Sequence, residues 1–173
     1  MSTYVMSDIH GCFDEFMKML KRINFTEDDQ LILAGDYIDR GSQNIQMFDF
    51  ILNHPDNILL LCGNHDIEFV SYVQAMTMMK IALSEKTERF EYDPAHYLKC
   101  LYEITKTYLK EGDDEQNEHF DYYGTINNLI EEKHITYDDL QAWAEAIKEM
   151  PDRYTLRINN RKCVVVHAGY RKP

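Results

Sequence analysis

Four short apolar runs are each followed at once by a polar segment, and this pairing constrains the fold more than any other feature of the chain. The runs are Tyr4-Val5-Met6, Leu31-Ile32-Leu33-Ala34, Ile58-Leu59-Leu60-Leu61-Cys62 and Cys163-Val164-Val165-Val166. The polar segments are Ser7-Asp8-Ile9-His10-Gly11, Gly35-Asp36-Tyr37-Ile38-Asp39-Arg40-Gly41, Gly63-Asn64-His65-Asp66 and His167-Ala168-Gly169. Continuous apolar runs of this length read as strands buried on both faces. In open α/β sheets the loops leaving neighbouring strand ends converge on one crevice, so four distant pieces of sequence can share one site.

The stretches between the runs read as helices. Phe13, Phe16, Met17, Leu20 and Ile23 recur at helical spacing, and Thr26-Glu27-Asp28-Asp29 turns the chain into the second run. Ile45, Phe48, Ile51 and Leu52 mark a second helix ending near His54-Pro55, because the residue before proline disfavours the helical region. The first 66 residues are thus expected to be β-α-β-α-β, with three parallel strands joined by right-handed crossovers. Residues 67–150 change to a helix-forming composition rich in Met and Tyr and read as a helical cover. One helix should run on from the third polar segment through residues 67–79, another should span 95–110, and 111–118 reads as an exposed loop. A last helix should start at Thr136-Tyr137-Asp138-Asp139, a capping pattern, and run through Leu140, Trp143, Ala144 and Ile147 to Met150-Pro151. Tyr154–Ile158 and Arg161–Val166 should then form a hairpin across Asn159-Asn160, since Asn tolerates positive φ.

The chain has 173 residues, 45% of them hydrophobic, which suits one globular domain, 1–173. No apolar run approaches the roughly 20 residues that span a bilayer, and no basic leader precedes the first run, so a cytoplasmic protein without membrane association is expected. Cys12, Cys62, Cys100 and Cys163 are widely spaced and read as buried, inert thiols in a reducing compartment. The net charge is −12. Such an acidic balance argues against tight binding to duplex nucleic acid, which depends on Lys and Arg neutralising phosphates.

The polar segments supply the parts of a dinuclear metal site: hard anionic oxygens, imidazoles and a carboxylate placed to bridge two cations. Asp8 and His10 leave the first strand one residue apart and can reach one metal. Asp36, behind Gly35, is the natural bridge. Asn64 offers a carbonyl oxygen and His167 a ring nitrogen to a second metal. His54, His96, His119 and His134 lie outside the motifs and read as solvated or core side chains, and Trp143 and the tyrosines as packing residues. Tyr122-Tyr123-Gly124 is a candidate border of the cleft.

In order and content, the four segments resemble the calcineurin-like metallophosphoesterases, and within them the phosphoprotein phosphatase branch, which includes the bacterial symmetrical dinucleoside tetraphosphatases. The resemblance implies a β-sheet sandwich flanked by helices, with a helical insertion before the last strands. It implies two divalent metals (Mn, Fe, Zn or Ni), the first held by Asp8 and His10, both by Asp36, and the second by Asn64 and His167. Arg40 would grip the phosphate through its planar guanidinium, and His65, oriented by Asp39, would protonate the leaving oxygen. Attack would come from a hydroxide shared by the metals. Asp66 stands where the protein phosphatases usually carry Glu. The family places a further histidine, an arginine and closing strands beyond the segment matching His167, so a chain cut after the fourth motif, or else a natural short form, is expected, with a weaker second metal site. The expected activity is that of a serine/threonine phosphatase-like enzyme acting on a phosphoprotein or a phosphorylated small molecule. The alternatives are a dinucleoside polyphosphate hydrolase and a weakly active metal- and phosphate-binding fragment.

Overall fold

The structure is a computed structural model that describes residues 2–84, 94–112, 122–131 and 135–168. Its element order begins β1 (Thr3–Met6), α1 (Phe13–Arg22), β2 (Gln30–Ala34), α2 (Asn44–Asn53) and β3 (Ile58–Leu61). It continues with α3 (Asn64–Ser84), α4 (Pro94–Gly112), α5 (Tyr122–Glu131), α6 (Tyr137–Lys148), β4 (Arg153–Ile158) and β5 (Arg161–Val166). Among the described residues, no helix is long and apolar enough to cross a membrane.

β1, β2 and β3 form a parallel sheet in that order, with Met6 opposite Leu33 and Ala34 opposite Leu61, so all three strands end at one level. The strand period of two divides the sheet between two cores. Leu31, Leu33, Ile58 and Leu60 face the helices, together with Phe16, Met47, Phe48 and Ile51. Ile32, Ala34 and Leu61 face the other way, onto Tyr154, Leu156 and Val165 of the antiparallel β4–β5 pair. The layers are therefore helices, sheet and sheet, as expected.

Local chemistry explains the element ends. α1 has Asp14 and Glu15 in its first turn and Lys21 and Arg22 in its last, both favourable to the helix dipole. It stops where Asn24 adopts φ 51° and the Phe25 N–H returns to the Leu20 carbonyl. α6 opens on the expected capping box: Asp139 N–H donates to Thr136 Oγ1 at 3.2 Å, and Thr136 N–H donates to Asp139 Oδ2 at 2.8 Å. The hairpin turns at Asn159 and Asn160, with φ 48° and 62°. Trp143 is a packing residue, stacked on Phe48 with ring centroids 4.2 Å apart.

Several expectations need correction. Only β2 and β3 are buried on both faces; β1 is an edge strand with Val5 54% exposed, and β4 and β5 have solvent on one side. Met17 and Leu52 point outward, because the stripe facing the sheet is narrower than the apolar pattern. α3 and α4 are longer than expected, and α4 takes in residues 111 and 112 of the expected loop, the rest of which lies outside the described residues. α5 is an additional helix that buries Ile126 and Leu129. All four cysteines are free, as expected, but Cys12 and Cys100 are exposed and Cys62 and Cys163 half-buried, so none is a fully buried thiol. Of the histidines outside the motifs, His96 is exposed and His54 half-buried, while His119 and His134, like the side chains of Tyr122-Tyr123-Gly124, lie outside the described residues.

Candidate metal centre

The loops after β1 and β2 are strained where their polar side chains are displayed. Asp8 (φ 57°), His10 (46°), Asp36 (58°), Asp39 (72°) and Arg40 (66°) all adopt the left-handed conformation. Each such residue costs of order 1–3 kcal/mol and persists only where its surroundings over-determine it. Here the restraint is backbone pairing carried past the strand ends. Asp8 N–H donates to Gly35 O at 3.1 Å, His10 N–H to Asp36 O at 3.0 Å, Gly11 N–H to Tyr37 O at 2.8 Å and Gly41 N–H to His10 O at 2.9 Å. Gly41 is needed for that approach, since a Cβ there would lie 2.3 Å from the His10 carbonyl oxygen.

With both imidazoles neutral, three acceptor groups converge. The His10 Nδ1–H donates to Ile38 O at 2.9 Å, which leaves Nε2 with a lone pair; this atom is buried and has no hydrogen-bond partner among the described residues. Likewise the His167 Nδ1–H donates to Ala34 O at 2.7 Å, leaving Nε2 as an acceptor. Asp36 Oδ2 lies between the two rings, 3.6 Å from His10 Nε2 and 3.2 Å from His167 Nε2. Asn64 Oδ1 lies 3.0 Å from His167 Nε2, and Asp8 Oδ1 3.9 Å from His10 Nε2. Lone pairs facing lone pairs are unfavourable unless a cation joins them. Metal bonds of about 2.0–2.2 Å at tetrahedral or octahedral angles put neighbouring donor atoms roughly 3.0–3.5 Å apart, close to these spacings. The mixed imidazole and carboxylate donors suit borderline divalent ions, and each imidazole is oriented by a carbonyl on its far nitrogen, the usual outer-shell arrangement. The residues therefore fit a divalent metal group.

Beside this cluster, His65 Nδ1 donates to Asp39 Oδ2 at 2.7 Å, and Arg40 Nη2 donates to His65 Nε2 at 3.3 Å. His65 also meets His10 edge to face, with ring centroids 4.9 Å apart. Asp39 is fully buried, and its Oδ1 has no hydrogen-bond partner among the described residues. Its backbone N–H donates to Asn44 Oδ1 at 3.1 Å, while Asn44 Nδ2 donates to Gly41 O at 3.0 Å. All eight sequence-derived residues thus meet at one end of the sheet: Asp8, His10, Asp36, Asn64 and His167 in the acceptor cluster, and Asp39, Arg40 and His65 alongside.

Two residues that hold the site were not picked out from sequence. Asp66 is fully buried and accepts from Asp36 N–H at 2.8 Å, Tyr37 N–H at 3.1 Å and Gly63 N–H at 2.8 Å, tying the loop after β2 to the start of α3. Burial pushes its carboxyl up to about 6, against the opposing pull of those three donors. The tie sets Asp36, whose Oδ1 accepts from His65 N–H at 3.1 Å. Gly63 is required here because a Cβ would lie 2.3 Å from Asp36 Oδ1. The only signal for Asp66 was its place in the third motif. Asn44, the second residue, had none; both of its side-chain bonds brace the loop after β2 from the first residue of α2.

The chain is 43% identical over 72 residues to a symmetrical bis(5'-nucleosyl)-tetraphosphatase of Vibrio parahaemolyticus, covering 41% of this chain and 27% of the relative. It is 37% identical over 81 residues to that of Vibrio campbellii, covering 46% and 30% respectively. It is 35% identical over 92 residues to that of Haemophilus ducreyi, covering 53% and 32%. The matched part is less than a third of the length of each of these relatives. Over nearly its full length, residues 1–169, the chain matches the calcineurin-like phosphoesterases, and it belongs to that family.

Proposed function

We propose that this chain hydrolyses dinucleoside tetraphosphates symmetrically, water splitting the central phosphoanhydride into two nucleoside diphosphates. The observation that carries the hydrolytic reading is Asp36 Oδ2 set between two imidazole lone pairs, at 3.6 and 3.2 Å. The relatives named as symmetrical tetraphosphatases favour the dinucleoside substrate over the phosphoprotein that the motifs alone suggested. Both substrate classes share these motifs, so motif content does not separate them.

His10, Asp8 and Asp36 would hold one divalent ion, and Asp36, Asn64 and His167 a second. When bound, the ions supply positive charge that polarises the phosphate and lowers the pKa of the attacking water. Arg40 sits where its guanidinium can exchange the His65 ring for phosphate oxygens in a bidentate contact. That exchange frees His65 Nε2 to carry a proton to the leaving phosphate oxygen, while buried Asp39 holds Nδ1–H and stabilises the charged ring.

The test is product analysis with the chain loaded with Mn²⁺, comparing diadenosine tetraphosphate, a phosphoserine peptide and an aryl phosphate. Two ADP per substrate, with ¹⁸O from labelled water in one of them, is the expected result. Preferential phosphate release from the peptide would overturn the substrate assignment. Failure to bind divalent metal, with no turnover of any substrate, would overturn the hydrolytic reading itself.

A further inference from the structure

We infer that Asn44 is a positioning residue that aims Asp39 at His65 and Arg40 at the phosphate; this rests on the proposed hydrolysis. Asp39 and Arg40 are consecutive left-handed residues, with φ 72° and 66°, a conformation that L-residues keep only where something holds it. The Asn44 side chain closes over them from both ends. Its Oδ1 accepts from the Asp39 N–H at 3.1 Å, and its Nδ2 donates to the Gly41 carbonyl oxygen at 3.0 Å. An amide carries one accepting and one donating end, so the pair of bonds permits one orientation and brackets residues 39–41. The bracket is enclosed: Asn44 is buried, and a Cβ on Gly11 would lie 2.7 Å from its Oδ1.

What the bracket holds is the part of the site that handles the proton and the phosphate. Asp39 Oδ2 accepts from His65 Nδ1 at 2.7 Å, and Arg40 Nη2 donates to His65 Nε2 at 3.3 Å, so both contacts start from bracketed residues. Asp36, in the same loop, has its own tie, its N–H donating to Asp66 Oδ2 at 2.8 Å. Neither Asn44 bond ends on a metal-binding side chain. Loss of the amide should therefore disturb proton delivery and phosphate grip together and leave the metal ligands in place.

The inference is tested with the unaltered chain, Asn44→Ala and Asn44→Asp, by Mn²⁺ counting, by kinetics on diadenosine tetraphosphate and by proton NMR of the metal-free chain. The NMR readout is the low-field His65 Nδ1–H resonance, assigned by its absence in His65→Ala. Asn44→Ala should bind Mn²⁺ as the unaltered chain does, raise KM through Arg40, lower kcat through His65 and lose the resonance. A misplacement of about 1 Å costs on the order of 10²-fold, and that is the loss expected in kcat/KM. Asn44→Asp keeps an acceptor for the Asp39 N–H but has no donor for the Gly41 carbonyl, so it should keep the resonance and fall between the other two in kcat/KM. A merely structural role would lower kcat with the folded fraction and leave KM and the resonance unchanged, and that result would overturn positioning. Loss of Mn²⁺ in Asn44→Ala, or full activity in Asn44→Asp, would also overturn it. No turnover of diadenosine tetraphosphate by the unaltered chain would overturn the proposed hydrolysis instead, and the resonance, read without metal or substrate, then decides whether Asn44 aims Asp39.

Discussion

Asp66 offers the most discriminating perturbation, because one carboxylate holds three backbone donors from two chain segments. Oδ2 accepts from the N–H groups of Asp36 and Gly63, and Oδ1 from that of Tyr37. Asp66→Asn keeps the shape but has one oxygen; with that oxygen in the Oδ2 place, two bonds survive and the Tyr37 N–H faces another donor. One buried donor left unpaired costs about 1–3 kcal/mol, partly offset by no longer burying a charge. Asp66→Ala leaves all three donors bare, and even with water entering the vacated space the loss should be at least twice that of Asn. Against a typical domain stability of about 5–15 kcal/mol, the Ala variant should be marginal and the Asn variant folded. Urea unfolding of the metal-free chain and both variants measures this, with Mn²⁺ titration as a second readout of whether Asp36 keeps its place. The pH dependence adds a sign. Because the folded carboxyl is pushed up to about 6 from 3.8, the folded chain binds the proton more tightly than the unfolded one. Its contribution is therefore present in full below 3.8 and lost as pH rises through about 6, and the Asn variant should lack that component. Equal destabilisation by Asn and Ala would refute the bond-counting argument, and a neutral Ala variant would show that Asp66 clamps nothing.

Asp8→Asn and Asp36→Asn should remove metal binding, measured by mass spectrometry, more severely than His65→Ala, which should keep metal and lose about 10² to 10⁴ in turnover, the usual share of a general acid. Gly63→Ala should cost on the order of 10² in rate or more, because a Cβ 2.3 Å from Asp36 Oδ1 forces that carboxylate roughly 1 Å out of place; unchanged turnover would show that the contact relaxes elsewhere. Removing divalent ions with a chelator should abolish hydrolysis of diadenosine tetraphosphate, and Mn²⁺ should restore it, as followed by ADP release.

The residues that meet at the site and the order of strands and helices around it were legible in the sequence, because both are written locally. An apolar run followed by Asp-x-His or Gly-Asn-His states where a strand ends and which groups leave it. Thr136 with Asp139, and Asn159 with Asn160, state a helix start and a hairpin turn through contacts a few residues long. What tertiary structure decided is the set of bonds that close between distant positions. The Asp66 tie to the loop after β2, the His167 Nδ1 bond to Ala34 O at 2.7 Å and the Gly41 N–H bond to His10 O at 2.9 Å have no periodicity to betray them. Burial was decided there as well: the apolar β1 lies at an edge and the apolar Met17 faces solvent, since exposure depends on what packs alongside and not on the residue's own hydrophobicity. The chain's own letters name the donors, and the meeting of strand ends sets them a few ångströms apart with their lone pairs aimed at one place.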